Sequence, residues 1–252
     1  MRFSGTPRLP VRWHHATTEL EDFAIISYRV PLDVIARHLP EGFEPEAFSF
    51  VDGTTAGLVS AVPFKDRDFH FRFAPKVAIS CGQINYRAYV RRHGERGVWF
   101  FGTNLDHPLV TVPRTLWRMP WSRSRISISA DWTDSRARWN MTAADSSGRS
   151  HCDLVETTGP LQPLDGFSSV DDMLAILTHP TTGWYRRLGG GIGRYSIWHP
   201  AMRPRSFQIR TARFSFLDRL GITTPDARPH SALGQPSLHF DIHTPPRRLA
   251  RT

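Results

Sequence analysis

Apolar and polar residues alternate along most of this chain. A two-residue period is met by strands with one face turned to a core. Residues 22–30, DFAIISYRV, read as a strand, and residues 31–40, PLDVIARHLP, as a short helix opened by Pro31 and closed by Pro40. Asp52-Gly53 divides residues 47–64 into a hairpin, and His93-Gly94-Glu95 joins strands at 78–92 and 96–106. Residues 107–121 are less regular, with Pro108 suited to a helix start and Pro113 placed to disturb one. Residues 124–158 read as a strand meander turning at Asp145-Ser146-Ser147-Gly148. The best helix is 168–179, where Ser169 and Asp172 have capping-box spacing and Met173, Leu174 and Leu177 share a face. Residues 206–216 extend, 216–222 form a short helical stretch, and 237–243, SLHFDIH, alternate as a returning strand. About ten short strands with two or three helices predict a single α+β domain, mostly antiparallel sheet closed as a β-barrel, over residues 1–252.

The glycine-rich stretch 189–200, GGGIGRYSIWHP, poses a separate question. A phosphate loop hands over to a helix, whose N-terminus supplies free N–H groups and the positive dipole end. Here Gly193 is followed by Tyr195, Ile197 and His199 alternating with Ser196 and Trp198, which is a strand. The glycines therefore read as a turn that admits positive φ.

Charge narrows the partners less than its size suggests. The net charge is +9, but Lys65 and Lys76 are the only lysines. Arginine supplies nearly all of the 32 basic residues, scattered and without a nucleic-acid motif. No nucleic-acid partner is expected. No apolar run approaches the ~20 residues of a membrane helix, and the N-terminus has no apolar segment of signal-peptide type. No membrane partner is expected, and a cytoplasmic location is. Cys81 and Cys152 are then read as two reduced thiols.

Strand faces point to the chemistry. In 83–89, Gln83, Asn85, Arg87 and Tyr89 share one face and Ile84, Tyr86 and Ala88 the other. The next strand, RGVWFFGTNLD, is apolar on both faces through its middle, so this part of the sheet is covered on both sides. Gln83, Asn85 and Arg87 are thus candidates for the lining of an internal pocket, with Arg87 offering a planar fork to a carboxylate. Tyr195 and His199 share another strand face. His239, Asp241 and His243 share a third, which is either the solvent side of an edge strand or a set of metal ligands. His151 and Asp153 flank Cys152, which reads as a small buried residue. No G-x-S-x-G, H-E-x-x-H or C-x-x-C motif is present.

Several of these stretches together carry a family resemblance. LPEGFEPEAF (39–48), GLVSAVPF (57–64), QINYRAYVRRHGERGVWFFGTNLD (83–106), PRTLWRMPW (113–121), LTHPTTGWY (177–185), GRYSIWHP (193–200), FLDRLGI (216–222) and the closing SLHFDIHTPPRR occur in family order. Over about residues 13–248 the chain resembles an uncharacterised bacterial family of the acetoacetate decarboxylase-like superfamily. Residues 1–12 and the C-terminal end fall outside and are expected to be flexible. The resemblance implies one mostly antiparallel barrel with flanking helices, a small-molecule cavity within its cone, and no cofactor. The characterised decarboxylases of the superfamily use a lysine that forms a Schiff base, at the end of an R-E-x-x-G-x-P-K-like stretch. The nearest stretch here runs from Arg114 to Pro120, and Trp121 stands where that lysine would be. The uncharacterised family tends to carry Glu-x-Asn-x-Arg, whereas this chain has Gln83, Asn85 and Arg87 in those places. Gln keeps the shape of Glu but cannot act as a base.

These readings define three functions. The first is a small-molecule enzyme acting by acid–base chemistry on a substrate bearing a carbonyl or carboxylate, without a Schiff-base lysine or a metal. Arg87 and Arg114 would hold the anion. His199 with Tyr195 would move protons, because an ordinary imidazole titrates near neutrality. Gln83 and Asn85 would orient the substrate or stabilise an oxyanion. The second function is a non-catalytic binding protein using the same cavity. The third is a metal enzyme built on His239, Asp241 and His243. A second copy of the chain is kept open as a partner.

Overall fold

The computed structural model describes residues 5–133 and 136–249. In chain order the elements are β1 (Ala16–Val30), α1 (Leu32–Ala36), β2 (Glu44–Pro45), β3 (Phe48–Ser49), β4 (Thr55–Phe71), β5 (Ile79–Arg92) and β6 (Glu95–Leu105). A 3-10 turn (Pro108–Val110) leads into α2 (Thr111–Leu116), β7 (Trp121–Arg123), β8 (Arg125–Asp131), β9 (Arg138–Asp145) and β10 (Gly148–Glu156). Then come α3 (Val170–Leu177), β11 (Thr182–Arg186), β12 (Ile192–Trp198), β13 (Arg205–Arg213), α4 (Ser215–Arg219) and β14 (Ser231–Arg248).

Seven strands close a barrel in the order β1-β4-β5-β6-β11-β12-β14, and β14 pairs back onto β1. Closure leaves the barrel no free edge. Its neighbours run antiparallel except β6 and β11, which are parallel. The first half of β14 also pairs with β13, which continues through β10, β9 and β8 as a second sheet. That sheet covers the outer wall of β1, β4 and β5. The expectation of an α+β, mostly antiparallel barrel in a single domain is met.

Two faces of β5 serve two cores. Ile84, Tyr86, Ala88 and Val90 point outward and pack with Trp139, Met141, Leu154 and Phe216 from the covering layer. Tyr86 stacks on Phe216 at 4.4 Å between ring centroids. Burying side chains such as Phe216 and Met141 stabilises the fold by about 1.5–3 kcal/mol each. Gln83, Asn85, Arg87 and Tyr89 point into the barrel, as their alternation predicts. A β-bulge between β5 and β6 falls at Tyr86/Arg87 and leaves Phe101 as the extra residue. One stretch of the barrel interior is filled by α3, whose Met173 and Leu177 pack with Leu58, Tyr89 and Phe100. Its N-cap is the expected one, Ser169 Oγ accepting from the Asp172 amide at 3.1 Å.

Several sequence expectations needed correction. The first strand begins at Ala16 rather than residue 22, and the first helix stops at Ala36, before Pro40. Pro113 lies inside α2, but in its first turn, where no amide donor is required. The extended run after residue 205 ends at Arg213, where the chain turns into α4. The parallel strand β11 has no expectation to match. Residues 1–4 and 250–252, expected to be flexible, lie outside the described residues. Thr6 and Arg8 of the 5–12 stretch contact the barrel. The Thr6 amide donates to His179 Nε2 at 2.9 Å, and Arg8 pairs with Asp241 at 2.8 Å. No helix among the described residues is long and apolar enough to cross a membrane. Cys81 and Cys152 are free thiols, and Cys152 is buried as expected.

The glycine stretch is the β11–β12 connection. Gly189, Gly190 and Gly191 all adopt positive φ (83°, 102° and 82°). Gly193 is needed for another reason: a Cβ there would lie 2.2 Å from the Tyr185 ring.

Candidate functional site

The barrel encloses a chamber of about 130 Å³. Its wall brings together Gln83, Asn85 and Arg87 from β5, Tyr195 from β12, and His199 just beyond it. Five of the six residues expected at the site therefore share one cavity. The rest of the wall is largely apolar, including Leu20, Phe23, Val62, Phe64, Phe100 and Phe240.

Arg87 is buried. Its Nη2 donates to the Leu177 carbonyl at 2.8 Å, a free acceptor at the C-terminal turn of α3. Tyr89 Oη donates to the same carbonyl at 3.3 Å, and the Arg87 guanidinium lies 5.5 Å from the Tyr89 ring centroid. Arg87 Nε has no hydrogen-bond partner, and among the described residues no carboxylate pairs with the guanidinium. A cation taken out of water without a counter-ion is unfavourable, and an anion reaching it recovers much of that cost.

Next to it, the Asn85 carbonyl accepts from Gln83 Nε2 (3.0 Å) and Thr103 Oγ1 (2.9 Å). This fixes the Asn85 amide plane and leaves its Nδ2 donors out of these bonds.

His199 is almost wholly buried, and its titration departs from expectation. Burial, reinforced by the nearby charges of His179 and Arg87, pushes its pKa down to about 4, although the Pro200 and Thr178 carbonyls oppose the shift. Its Nδ1 lies 2.8 Å from the Pro200 carbonyl oxygen, and its ring stacks on Phe240 at 4.6 Å. The imidazole is neutral at pH 7 and does not titrate there. Tyr195 shifts the other way: burial raises its phenol, with Arg87 partly opposing, so it stays a proton donor. Its ring lies 5.5 Å from Phe100.

The group that titrates near neutrality is Asp66, which the sequence reading had missed. It is buried in β4, in line with Val62 and Phe64 on the inward face, and lines the chamber. Burial drives its carboxyl up to about 6, with a hydrogen bond to Thr18 opposing. Thr18 Oγ1 contacts both an Asp66 carboxylate oxygen and the Arg67 carbonyl, the latter at 2.9 Å. A hydroxyl has one proton to give. When it goes to Arg67, the Asp66–Thr18 contact needs the proton on Asp66. The available signal was the period-two line Val62-Phe64-Asp66 running on from an apolar strand.

Arg114 requires correction. It is exposed on α2, outside the chamber, where Nη1 donates to the Trp121 carbonyl at 2.8 Å. Helix α2 turns its arginine to solvent, while Trp117, Met119 and Trp121 just after it face the cavity. Neither lysine is in the chamber wall. Lys65 Nζ, on the outward face of β4, pairs with Asp22 at 2.6 Å, and Lys76 is exposed in the turn before β5.

His239, Asp241 and His243 do share a face, but β14 is no edge strand. Asp241 is paired on both sides, with Thr17 of β1 and Trp198 of β12, while His239 pairs with β1 and His243 with β12. Asp241 is fully buried, held by Arg8 and by His239 Nε2 at 3.1 Å, while His243 Nδ1 lies 2.9 Å from Ser196 Oγ. Among the described residues no three His, Cys, Asp or Glu side chains are grouped to hold a metal ion.

A second cavity of about 310 Å³ adjoins the chamber. The two share Asp66, Phe69, Gln83, Trp117 and Trp121 in their walls. The second opens between the 72–78 turn and α2.

A family model described as an uncharacterized conserved protein, DUF2071, matches residues 17–239. A search of curated proteins finds no match. Solved structures share the fold at low identity. An enduracididine biosynthesis enzyme, MppR, complexed with pyruvate is 14% identical with a TM-score of 0.65, covering 97% of this chain and 93% of that one. An acetoacetate decarboxylase-like enzyme from Sphingomonas wittichii RW1 is 10% identical with a TM-score of 0.61 (97% and 98% covered). The acetoacetate decarboxylase of Legionella pneumophila is 12% identical with a TM-score of 0.59 (97% and 92% covered). The architecture is thus acetoacetate decarboxylase-like.

Proposed function

The chain belongs to the DUF2071 family, with an acetoacetate decarboxylase-like fold, and we propose that it is an enzyme that moves a proton on a carbonyl acid. One observation carries this reading: a single chamber holds a buried guanidinium paired with no carboxylate among the described residues and, on the neighbouring strand, a buried carboxyl.

Arg87 binds the substrate carboxylate. At pH 7 Asp66 is mostly ionised and acts as the base, in place of the neutral His199. It takes a proton from the carbon next to the carbonyl. The electron pair of that C–H bond moves into the carbonyl, giving an enolate, and the proton rests on Asp66. Hydrogen bonds from Asn85 Nδ2 and the Tyr195 phenol stabilise the enolate oxygen. His199 is a neutral wall that shapes the site. The same enolate chemistry begins an isomerisation, a cyclisation or a dehydration. No step uses an imine, since the lysines lie outside the chamber wall. MppR was solved with pyruvate, itself a carbonyl acid. Here the acid would be longer, because Asp66 faces Cys81 while Arg87 faces Ser60, six residues apart along the strands and so roughly 20 Å.

The test is deuterium exchange at the carbon adjacent to the carbonyl in long-chain oxo acids whose carbonyl is remote from the carboxylate, followed by NMR in D₂O. Exchange is expected with the wild type, rising with pH through about 6 as Asp66 ionises. Asp66→Asn should slow it by a factor of about 10² or more. Arg87→Met should weaken acid binding by about tenfold to a hundredfold. Borohydride should trap no lysine adduct. An adduct on Lys65 or Lys76 would overturn the mechanism. Acids that bind without exchanging would make this a binding protein.

A further inference from the structure

From the second cavity we infer that the substrate is an amphipathic acid, whose polar head enters the chamber while an apolar tail lies between the 72–78 turn and α2. This rests on the reading of the chamber as a carbonyl-acid site.

Size gives the first argument. A cavity of about 150 Å³ accepts a molecule the size of benzene. The chamber, at about 130 Å³, therefore holds little more than the reacting head. The adjoining cavity is more than twice as large, at about 310 Å³. Together they fall within the ~300–1,000 Å³ typical of small-molecule sites.

Continuity gives the second. Asp66, Phe69, Gln83, Trp117 and Trp121 line both spaces, so a ligand whose head lies at Asp66 directs its remainder past Trp117 and Trp121.

The chemistry of the wall gives the third. Beyond the shared residues the wall is mostly apolar, with Phe71, Phe73, Val77, Leu109 and Val112 in it, and it includes two imidazoles, His70 and His107. No arginine or lysine is among its lining residues, so a second carboxylate would find no permanent cation there. Phe71 stacks on Phe73 at 5.3 Å and meets Trp117 edge-on at 6.3 Å, giving flat aromatic surface to an acyl or aryl tail. At the rim Phe73, Val77, Leu109 and Val112 are exposed, 59% and 67% for the first two. Apolar side chains grouped around an opening mark a ligand-binding or interaction site, and this opening leads to the chamber.

The experiment is calorimetric titration with straight-chain alkanoates from octanoate to dodecanoate, which bind without reacting and whose added carbons extend past Asp66 from a carboxylate held at Arg87. Each methylene should tighten binding about threefold to fourfold, and the series on the order of a hundredfold. Ala74→Trp, in the turn that lines the cavity, should bring dodecanoate back to the affinity of octanoate. Arg87→Met should weaken every acid alike. A flat series in which octanoate still depends on Arg87 overturns the tail site and leaves the chamber reading standing. A gain untouched by Ala74→Trp places the tail elsewhere and also overturns it. If light scattering finds a dimer that Ala74→Trp dissociates, and the series is flat, a second copy covers the rim and the inference fails. If no acid of any length binds, the chamber reading falls and takes this inference with it.

Discussion

Asp66 and Arg87 are both charged groups withdrawn from water, and each carries a cost that the pH or a ligand can change. For Asp66 the sign follows from its raised pKa. The folded protein holds a proton there up to about pH 6, while the unfolded chain loses it near 3.8. The folded state is therefore favoured below pH 4, and this advantage is lost as pH rises through 6. The loss reaches up to about 3 kcal/mol. Asp66→Asn should remove it. Denaturation in urea should find the variant more stable than wild type at pH 7.5 and nearly equal to it at pH 4. An equal effect at both values would mean that Asp66 ionises normally. Of the chamber's polar groups, Gln83, Asn85 and Arg87 were legible because alternation put them on one face of a strand covered on both sides. His199 was placed correctly by the same rule, but its titration was not. A pKa near 4 comes from burial beside His179 and Arg87, residues distant in sequence. Arg114 misled because the stretch that carries it follows a family pattern, while its helix turns it to solvent.

At the scale of elements, the β11–β12 hairpin tests how far packing governs a glycine. A Cβ on Gly193 would stand 2.2 Å from the buried Tyr185 ring, whose hydroxyl donates to the Trp117 carbonyl at 3.2 Å. Gly193→Ala should cost about 1–3 kcal/mol by overpacking. Thermal melting should show a clear loss of Tm, and a variant with unchanged Tm would refute the crowding argument. The hairpin's open side was legible: a strand follows the glycines, so no helix N-terminus is there to hold a phosphate. Strand β11 was not. Five residues beginning Thr-Gly have little period of their own, and they become a strand by pairing in parallel with β6.

Across the whole molecule, β14 is the member shared by barrel and covering sheet. It pairs with β1 from Ser231 to Ile242, with β13 at 232–234, and with β12 from Asp241 to Arg248. Trp139 of the covering sheet donates to the Asp22 carbonyl of β1 at 2.7 Å. Neither layer keeps its core if the other leaves. Urea unfolding followed by tryptophan fluorescence and by far-UV circular dichroism should give one coincident transition. Two separated midpoints would mean that the layers unfold independently. The sequence by itself determined the strand-rich class, the inward face of β5 and the helix cap at Ser169. Each rests on local chemistry: a two-residue period, a turn residue, a side chain within reach of its own backbone. Only the tertiary structure decided that β14 closes the barrel onto β1, that Asp66 sits in the chamber, and that an apolar cavity adjoins it. Those depend on register between strands far apart in sequence. Desolvation, which moves Asp66 up and His199 down, exists only once the strands have enclosed them.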